Sequence, residues 1–362
     1  MQKLRAATLA ILLVLGSLCV CLPAERPPRN IILFIGDGMG VAQVTAGKTV
    51  KGTLHLEEFS VVGLMTTHAA DEYVTDSAAG ATALAAGIKT YNKAIGVDVN
   101  KQPVKTVLEY AAEKGKATGL VVTSTITHAT PAAFAAHVDD RGKNNEIAEQ
   151  LAQARIDVML GGGWGSFTPK SQIGGQRDDQ RDWWAAMAKD RVAIRTPAEF
   201  QKLATPARLV GLFDPGHLPA AAKREVSLPA MTRKAIDILS QNRKGFFLMV
   251  EGSQIDWSGH DNDSDGIIAE MIDFDDAVGV GLEFAKNNHE TLIVVTADHE
   301  TGGYSLLDGS VDGKKISRTA FTTKGHTGVM VPIFAFGPGS AVFGGIRDNT
   351  FVGRKLIEYV TQ

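Results

Sequence analysis

What most limits how this chain can fold is a short, unbroken apolar run that recurs along it and stops each time at polar residues. The runs are Ile31–Ile35, Val61–Met65, Thr118–Val122, Val158–Leu160, Phe246–Val250, Leu292–Val295 and Val331–Phe336. A half-exposed strand alternates apolar and polar residues, whereas continuous apolarity marks a strand covered on both faces. Between the runs lie patterns with helical period: Val104–Lys114, Met231–Gln241, Ile267–Lys286 and Phe351–Tyr359. Strands alternating with helices predict an α/β fold, with a mostly parallel central sheet flanked by helices on both faces. At 362 residues, 44% of them hydrophobic, the chain has ample core for one large domain or two modest ones. Residues 164–228, rich in Gln, Asp, Arg and Trp, break the rhythm. They read as an insertion or cap between core strands, or else as ordinary short helices of the same domain.

In open parallel sheets, ligands bind beyond the carboxyl ends of the strands. Here metal-competent groups fall at that place repeatedly. Asp37 follows the first run, Glu251 directly follows Phe246–Val250, and Asp298 and His299 follow Leu292–Val295. Thr130 and Arg141 come after Thr118–Val122. Any one of these alone is an ordinary turn former or helix cap, but four such strand ends outweigh that reading. Asp256 and His260 are spaced so that one helical turn puts both on one face, within reach of one ion. Mixed nitrogen and oxygen ligation suits zinc or a similar transition metal, while Glu251 is a hard ligand suited to magnesium. A carboxylate at the end of so apolar a strand is costly unless a cation meets it. By itself His326, in Lys324-Gly325-His326-Thr327, reads as an ordinary surface or capping histidine, but the glycine before it and the strand after it favour a loop at the sheet edge.

Ser77 opens a run of small residues in Thr75-Asp76-Ser77-Ala78-Ala79-Gly80. A serine at a helix start has its hydroxyl near free amide donors and the positive end of the dipole, which suits a phosphate. The ordinary alternative is a helix N-cap. Charge is nearly balanced, 37 Lys+Arg against 40 Asp+Glu for a net of −3, and no basic stripe is present, which argues against nucleic acid as a partner.

Lys3 and Arg5 precede an apolar stretch from Ala6 to Val20. That stretch is short for a membrane span of ~20 residues and reads as a secretory signal peptide, cut after Cys21 or Ala24. The expected plan is a signal peptide over 1–24 and a catalytic domain over 25–362, periplasmic or secreted, with no stable membrane span after cleavage. An uncleaved anchor helix is the alternative. Both cysteines, Cys19 and Cys21, lie in this leader, so the mature chain is expected to have no disulfide.

Taken together, these residues resemble the alkaline phosphatase family. The matching pieces are Gly36-Asp37-Gly38-Met39-Gly40, Thr75-Asp76-Ser77-Ala78-Ala79, Thr130-Pro131-Ala132-Ala133 with Arg141, Glu251-Gly252-Ser253-Gln254-Ile255-Asp256, Thr296 to Gly303 and Gly325-His326-Thr327. They stand in the family's order over nearly the whole chain after the leader. The resemblance implies a phosphate-monoester hydrolase with two zinc ions and one magnesium, acting through a phosphoserine. It implies one zinc held by Asp256, His260 and His326, and a second by Asp37, Asp298 and His299. It places the magnesium on Asp37, Thr130 and Glu251, and makes Ser77 the nucleophile and Arg141 the phosphate clamp. Such a pair of ions ~4 Å apart clamps both ends of an in-line displacement. A homodimer is the family expectation.

Two positions depart from the best-known bacterial pattern. His128 stands where some members carry Asp, and Trp257 stands where a Lys occurs. Both are expected beside magnesium and phosphate, changing magnesium affinity and phosphate release while sparing the mechanism. A related phosphodiesterase would usually use Thr as nucleophile and lack the third carboxylate. A sulfatase would need a Cys-x-Pro-x-Arg motif, which is absent. A cofactor-independent phosphoglycerate mutase would need a further domain. The reading from another class is a phosphate- or metal-binding protein without turnover.

Overall fold

Asn30–Gly36 (β1) is buried along its whole length, because both faces it presents are covered. Each buried apolar side chain of such a strand contributes about 1.5–3 kcal/mol. The other strands are Val61–Thr66 (β2), Ala117–Thr125 (β3), Val158–Gly162 (β4), Val192–Ile194 (β5), Leu209–Leu212 (β6), Phe246–Gly252 (β7) and Thr291–Thr296 (β8). They are followed by Glu300–Thr301 (β9), Tyr304–Ser310 (β10), Lys315–Phe321 (β11), His326–Thr327 (β12), Val331–Phe336 (β13) and Gly345–Asp348 (β14). All seven apolar runs form strands, and all four helical patterns form helices. The computed structural model describes residues 27–362, so the signal-peptide reading at 1–24 lies outside the described residues.

Ten of the strands build one sheet in the order β14-β2-β13-β8-β1-β7-β3-β4-β6-β5. Every pairing in it is parallel except those of β13 with β2 and β8. The helices Val41–Lys51, Leu228–Leu239 and Ser264–Asn288 pack together as one set, and Ser77–Ala86, Val107–Glu113 and Asn349–Thr361 as another. The sheet is therefore flanked by helices, as an α/β fold requires. Among the described residues no helix is long and apolar enough to cross a membrane.

One departure from the sequence expectation has a physical cause. The run Val61–Met65 suggests a strand covered on both faces, yet Val62 is 59% exposed and Leu64 is exposed beside it. β2 lies next to the edge strand β14, where only one face is packed. Residues 164–228 contain β5 and β6, two short strands that extend the sheet beyond β4, together with short helical turns. The hairpin β10–β11, a separate small sheet, gave no apolar run because most of its residues face solvent.

Candidate metal centre

Register brings the site together. Ile35 of β1 lies beside Glu251 of β7 on one side and Thr296 of β8 on the other. Glu251 at this level, and Asp37 and Asp298 two residues beyond it, therefore emerge together at one end of the sheet. All three are fully or nearly fully buried. Asp256 and His260 lie on the helix Gln254–Asp261 that follows β7, with Asp256 Oδ2 3.4 Å from His260 Nε2. His326 arrives from far along the chain: β12 pairs with β9, setting His326 opposite Thr301. Its Nε2 is then 3.6 Å from Asp256 Oδ1 and 3.2 Å from His260 Nε2.

The helix Ser77–Ala86 is capped by Asp76, whose carboxylate accepts from the Ala79 amide. Ser77 is thus the first helical residue and not the cap, which leaves its hydroxyl free of that duty. Ser77 Oγ lies 3.3 Å from His299 Nε2. The same nitrogen is 3.3 Å from Asp298 Oδ2 and 3.6 Å from Asp37 Oδ1. The small residues of this helix allow its close approach, since a Cβ added at Gly80 would stand 3.1 Å from the Asp298 Cβ.

Arg141 is held by Asp76, which accepts from Nη1 at 3.1 Å, and its Nη2 donates to His128 Nε2 at 3.2 Å. One carboxylate therefore caps the serine helix and anchors the guanidinium, a link that sequence reasoning missed. An Asp immediately before the serine was the available signal. Thr301 was also missed. Its hydroxyl bonds to Asp256 Oδ1 and lies 3.3 Å from His299 Nδ1, so it ties two histidine–carboxylate groups together. Trp257 packs edge-on against His128 and His217, with ring centroids 6.1 and 4.5 Å away.

Three groups of side chains here can each hold a cation: Asp256 with His260 and His326, Asp37 with Asp298 and His299, and Asp37 with His128 and Glu251. In each, the potential ligand atoms lie within 4.8 Å of one another. A fourth group, His55 with Asp275 and Asp276, already has a cation, because Lys51 Nζ reaches each carboxylate at 2.6 Å.

The second and third of these fit divalent ions because their ligand atoms are buried without partners. Both oxygens of Asp37, Asp298 Oδ2, Glu251 Oε1, Thr130 Oγ1 and His128 Nδ1 are buried without a hydrogen-bond partner. Each such orphan costs about 1–3 kcal/mol, more when charged, unless something meets it. Burial, reinforced by Asp298, Asp256 and Glu251, drives the Asp37 carboxyl well above the usual range. Burial likewise pushes Glu251 up to about 8 and Asp298 to about 7. It drives His299 well below the ordinary histidine value, and with the Arg141 charge it takes His128 down to about 3. Burial opposes ionisation of Asp256, but the His260 hydrogen bond and the neighbouring histidines outweigh it and hold that carboxyl low. The Asp256 hydrogen bond raises His260 to about 9. Neutral His299 and His128 beside carboxylates that lack partners are a donor set for zinc-like ions, while a cation held by Asp256, His260 and His326 must displace the His260 proton.

Gly38 stands where Asp37 and Asp256 converge. Its φ is +74°, and a Cβ there would lie 2.7 Å from the Asp256 backbone. Gly38→Ala is expected to destabilise the fold by about 1–3 kcal/mol and to lower bound metal, read by calorimetry and elemental analysis. An unchanged melting temperature with full metal content would show that the close approach is not needed.

The family model described as alkaline phosphatase matches residues 28–317. Alkaline phosphatase 3 of Bacillus subtilis is 37% identical over 91% of this chain and 88% of its own. The structure of an alkaline phosphatase from the Antarctic bacterium TAB5 superposes with a TM-score of 0.85 at 40% identity, covering 93% of this chain and 98% of that one. A His-to-Asp variant of the TAB5 enzyme, described with Mg bound in its M3 site, matches at 41% identity over 93% and 99% of the two chains, again with a TM-score of 0.85.

Proposed function

The chain belongs to the alkaline phosphatase family, whose activity is metal-dependent hydrolysis of phosphate monoesters, and we propose that it carries this out through Ser77 as nucleophile. The observation that carries the residue assignment is Ser77 Oγ facing His299 Nε2 beside two histidine–carboxylate groups. Asp256, His260 and His326 would hold one zinc, and Asp37, Asp298 and His299 a second. Asp37, Glu251 and Thr130 would hold magnesium, with His128 beside them. When bound, these cations supply Lewis-acid stabilisation of the attacking and leaving oxygens.

The protein's own groups do the rest. Ser77 Oγ loses its proton and bonds to phosphorus as the bond from phosphorus to the alcohol oxygen breaks. The product of this half is alcohol and phosphoserine, and water then cleaves the phosphoserine to restore Ser77. The start of the Ser77–Ala86 helix turns its positive end toward the transferred group. Arg141 presents a fork to the non-bridging oxygens, where charge gathers in the transition state. Asp76 keeps that fork beside the serine.

Export by the N-terminal segment, to the periplasm or outside the cell, is part of this reading. So is a homodimer. The exposed Val62, Leu64 and Ile346, with Ile346 directly beside Leu64 across the β2–β14 edge, form an apolar face suited to it.

The test is hydrolysis of p-nitrophenyl phosphate by the purified protein, with and without EDTA, beside bis-p-nitrophenyl phosphate. Monoester turnover that is lost in EDTA and restored by zinc plus magnesium is the expected result. Faster diester hydrolysis would move the protein to the phosphodiesterase branch. No metal-dependent turnover of either would leave a binding protein.

A further inference from the structure

The His128 ring meets two demands that it cannot satisfy at once. A neutral imidazole has a single nitrogen lone pair to give, since its other nitrogen carries the proton. Arg141 is a permanent donor, and its Nη2 takes the lone pair of His128 Nε2 at 3.2 Å. With that contact made, the proton must sit on Nδ1, which is buried and has no partner. Yet His128 also stands in a ligand group with Asp37 and Glu251. A cation there needs a lone pair from the same ring, whichever nitrogen faces it. The ring is packed edge-on between Trp257 and His217, at centroid distances of 6.1 and 5.9 Å, so the contest is settled by lone pair and proton.

We propose that His128 links the third cation to the phosphate clamp: Arg141 and the cation compete for its one lone pair, so phosphate that draws Arg141 away strengthens cation binding, and the cation in turn releases Arg141 to phosphate. The inference rests on the reading of Asp37, Glu251 and Arg141 given above. Linkage of this kind is reciprocal, so the factor by which phosphate tightens the cation equals the factor by which the cation tightens phosphate. In the absence of phosphate Asp76 positions the clamp through Nη1, and His128 occupies Nη2. An aspartate or asparagine at this position could accept from Arg141 and ligate a cation with separate lone pairs, so the competition belongs to histidine.

The experiment uses the full chain with its two zinc groups loaded. Binding of Mg²⁺, and of Co²⁺ as a spectroscopic probe of nitrogen ligation, is measured by calorimetry and absorbance with and without inorganic phosphate. The wild type is compared with His128→Asn and with Glu251→Gln. Phosphate and a divalent cation attract each other in any site, so the informative quantity is the difference in linkage between wild type and His128→Asn. Phosphate is expected to tighten the third cation in the wild type by at least about five-fold more than in His128→Asn. The Co²⁺ spectrum should gain nitrogen character on adding phosphate only in the wild type. Equal linkage in the two proteins, with a third cation bound in both and weakened in Glu251→Gln, overturns the role of His128 alone. Absence of any third equivalent in the wild type overturns both this inference and the third-site reading on which it rests.

Discussion

Ser77→Ala is expected to lower kcat for p-nitrophenyl phosphate on the order of 10⁴-fold or more, because loss of a nucleophile removes the covalent route while binding groups survive. The geometry makes the substitution clean. The helix cap belongs to Asp76 and the guanidinium is anchored by the same carboxylate, so neither the helix nor the clamp depends on the serine hydroxyl. Loss of Oγ leaves the Asp37–Asp298–His299 group intact, and zinc content should stay at the wild-type level. KM should therefore change far less than kcat. Labelled phosphate incubated with the enzyme and quenched in acid should mark the wild type at Ser77 and leave Ser77→Ala unmarked. A variant that keeps activity within about ten-fold of wild type, or that is still labelled, would place the nucleophile elsewhere.

The parts of this site that a sequence discloses are those whose geometry is local. Asp256 and His260 share a face because four residues make about one helical turn, and the helix Gln254–Asp261 provides that turn. Asp37, Glu251 and Asp298 could be placed together because each ends an apolar run, and adjacent parallel strands in register deliver their ends to one level. His326 is different in kind. It lies beyond the residues 28–317 that the family model matches, and its position comes from the two-residue pairing of β12 with β9, which has no periodicity to read. The motif Gly325-His326-Thr327 had nevertheless brought His326 into a ligand set, whereas the cross-links made by Asp76 and Thr301 stayed hidden. Short polar side chains in loops and at helix starts look alike until the backbone fixes what they face. The inner strand β6 and the edge strand β5 beside it escaped because a glycine interrupts the four residues of β6 and β5 is three residues long with its first residue exposed.

Without metal, the folded protein should lose stability as pH rises from about 6.5 to 9. The sign follows from which state holds more protons. Burial raises Asp298 to about 7 and Glu251 to about 8, so the folded state keeps protons that the unfolded chain releases near the ordinary carboxyl values. Stability from such groups is fully present below the unfolded pKa and is lost as pH rises through the folded one. His260, raised to about 9 by its bond to Asp256, acts in the same direction, although its partial exposure to solvent weakens its share. His128 and His299 are lowered, so they act in the opposite direction, but their contribution is complete by the ordinary histidine pKa of about 6.5. Above that point the remaining slopes agree in sign, at most about 1.4 kcal/mol per proton per pH unit, with the Asp298 share ending at about 7 and the Glu251 share at about 8. The EDTA-treated protein should therefore melt several degrees lower at pH 9 than at pH 6.5, and Glu251→Gln should flatten the profile. Bound divalent cations would replace the protons, so the loaded protein should be more stable than the stripped one and should release protons when metal is added near pH 6.5. A melting temperature of the stripped protein that is level or rising across this window would show that these carboxyls are already ionised without metal. The buried orphan oxygens would then need another partner.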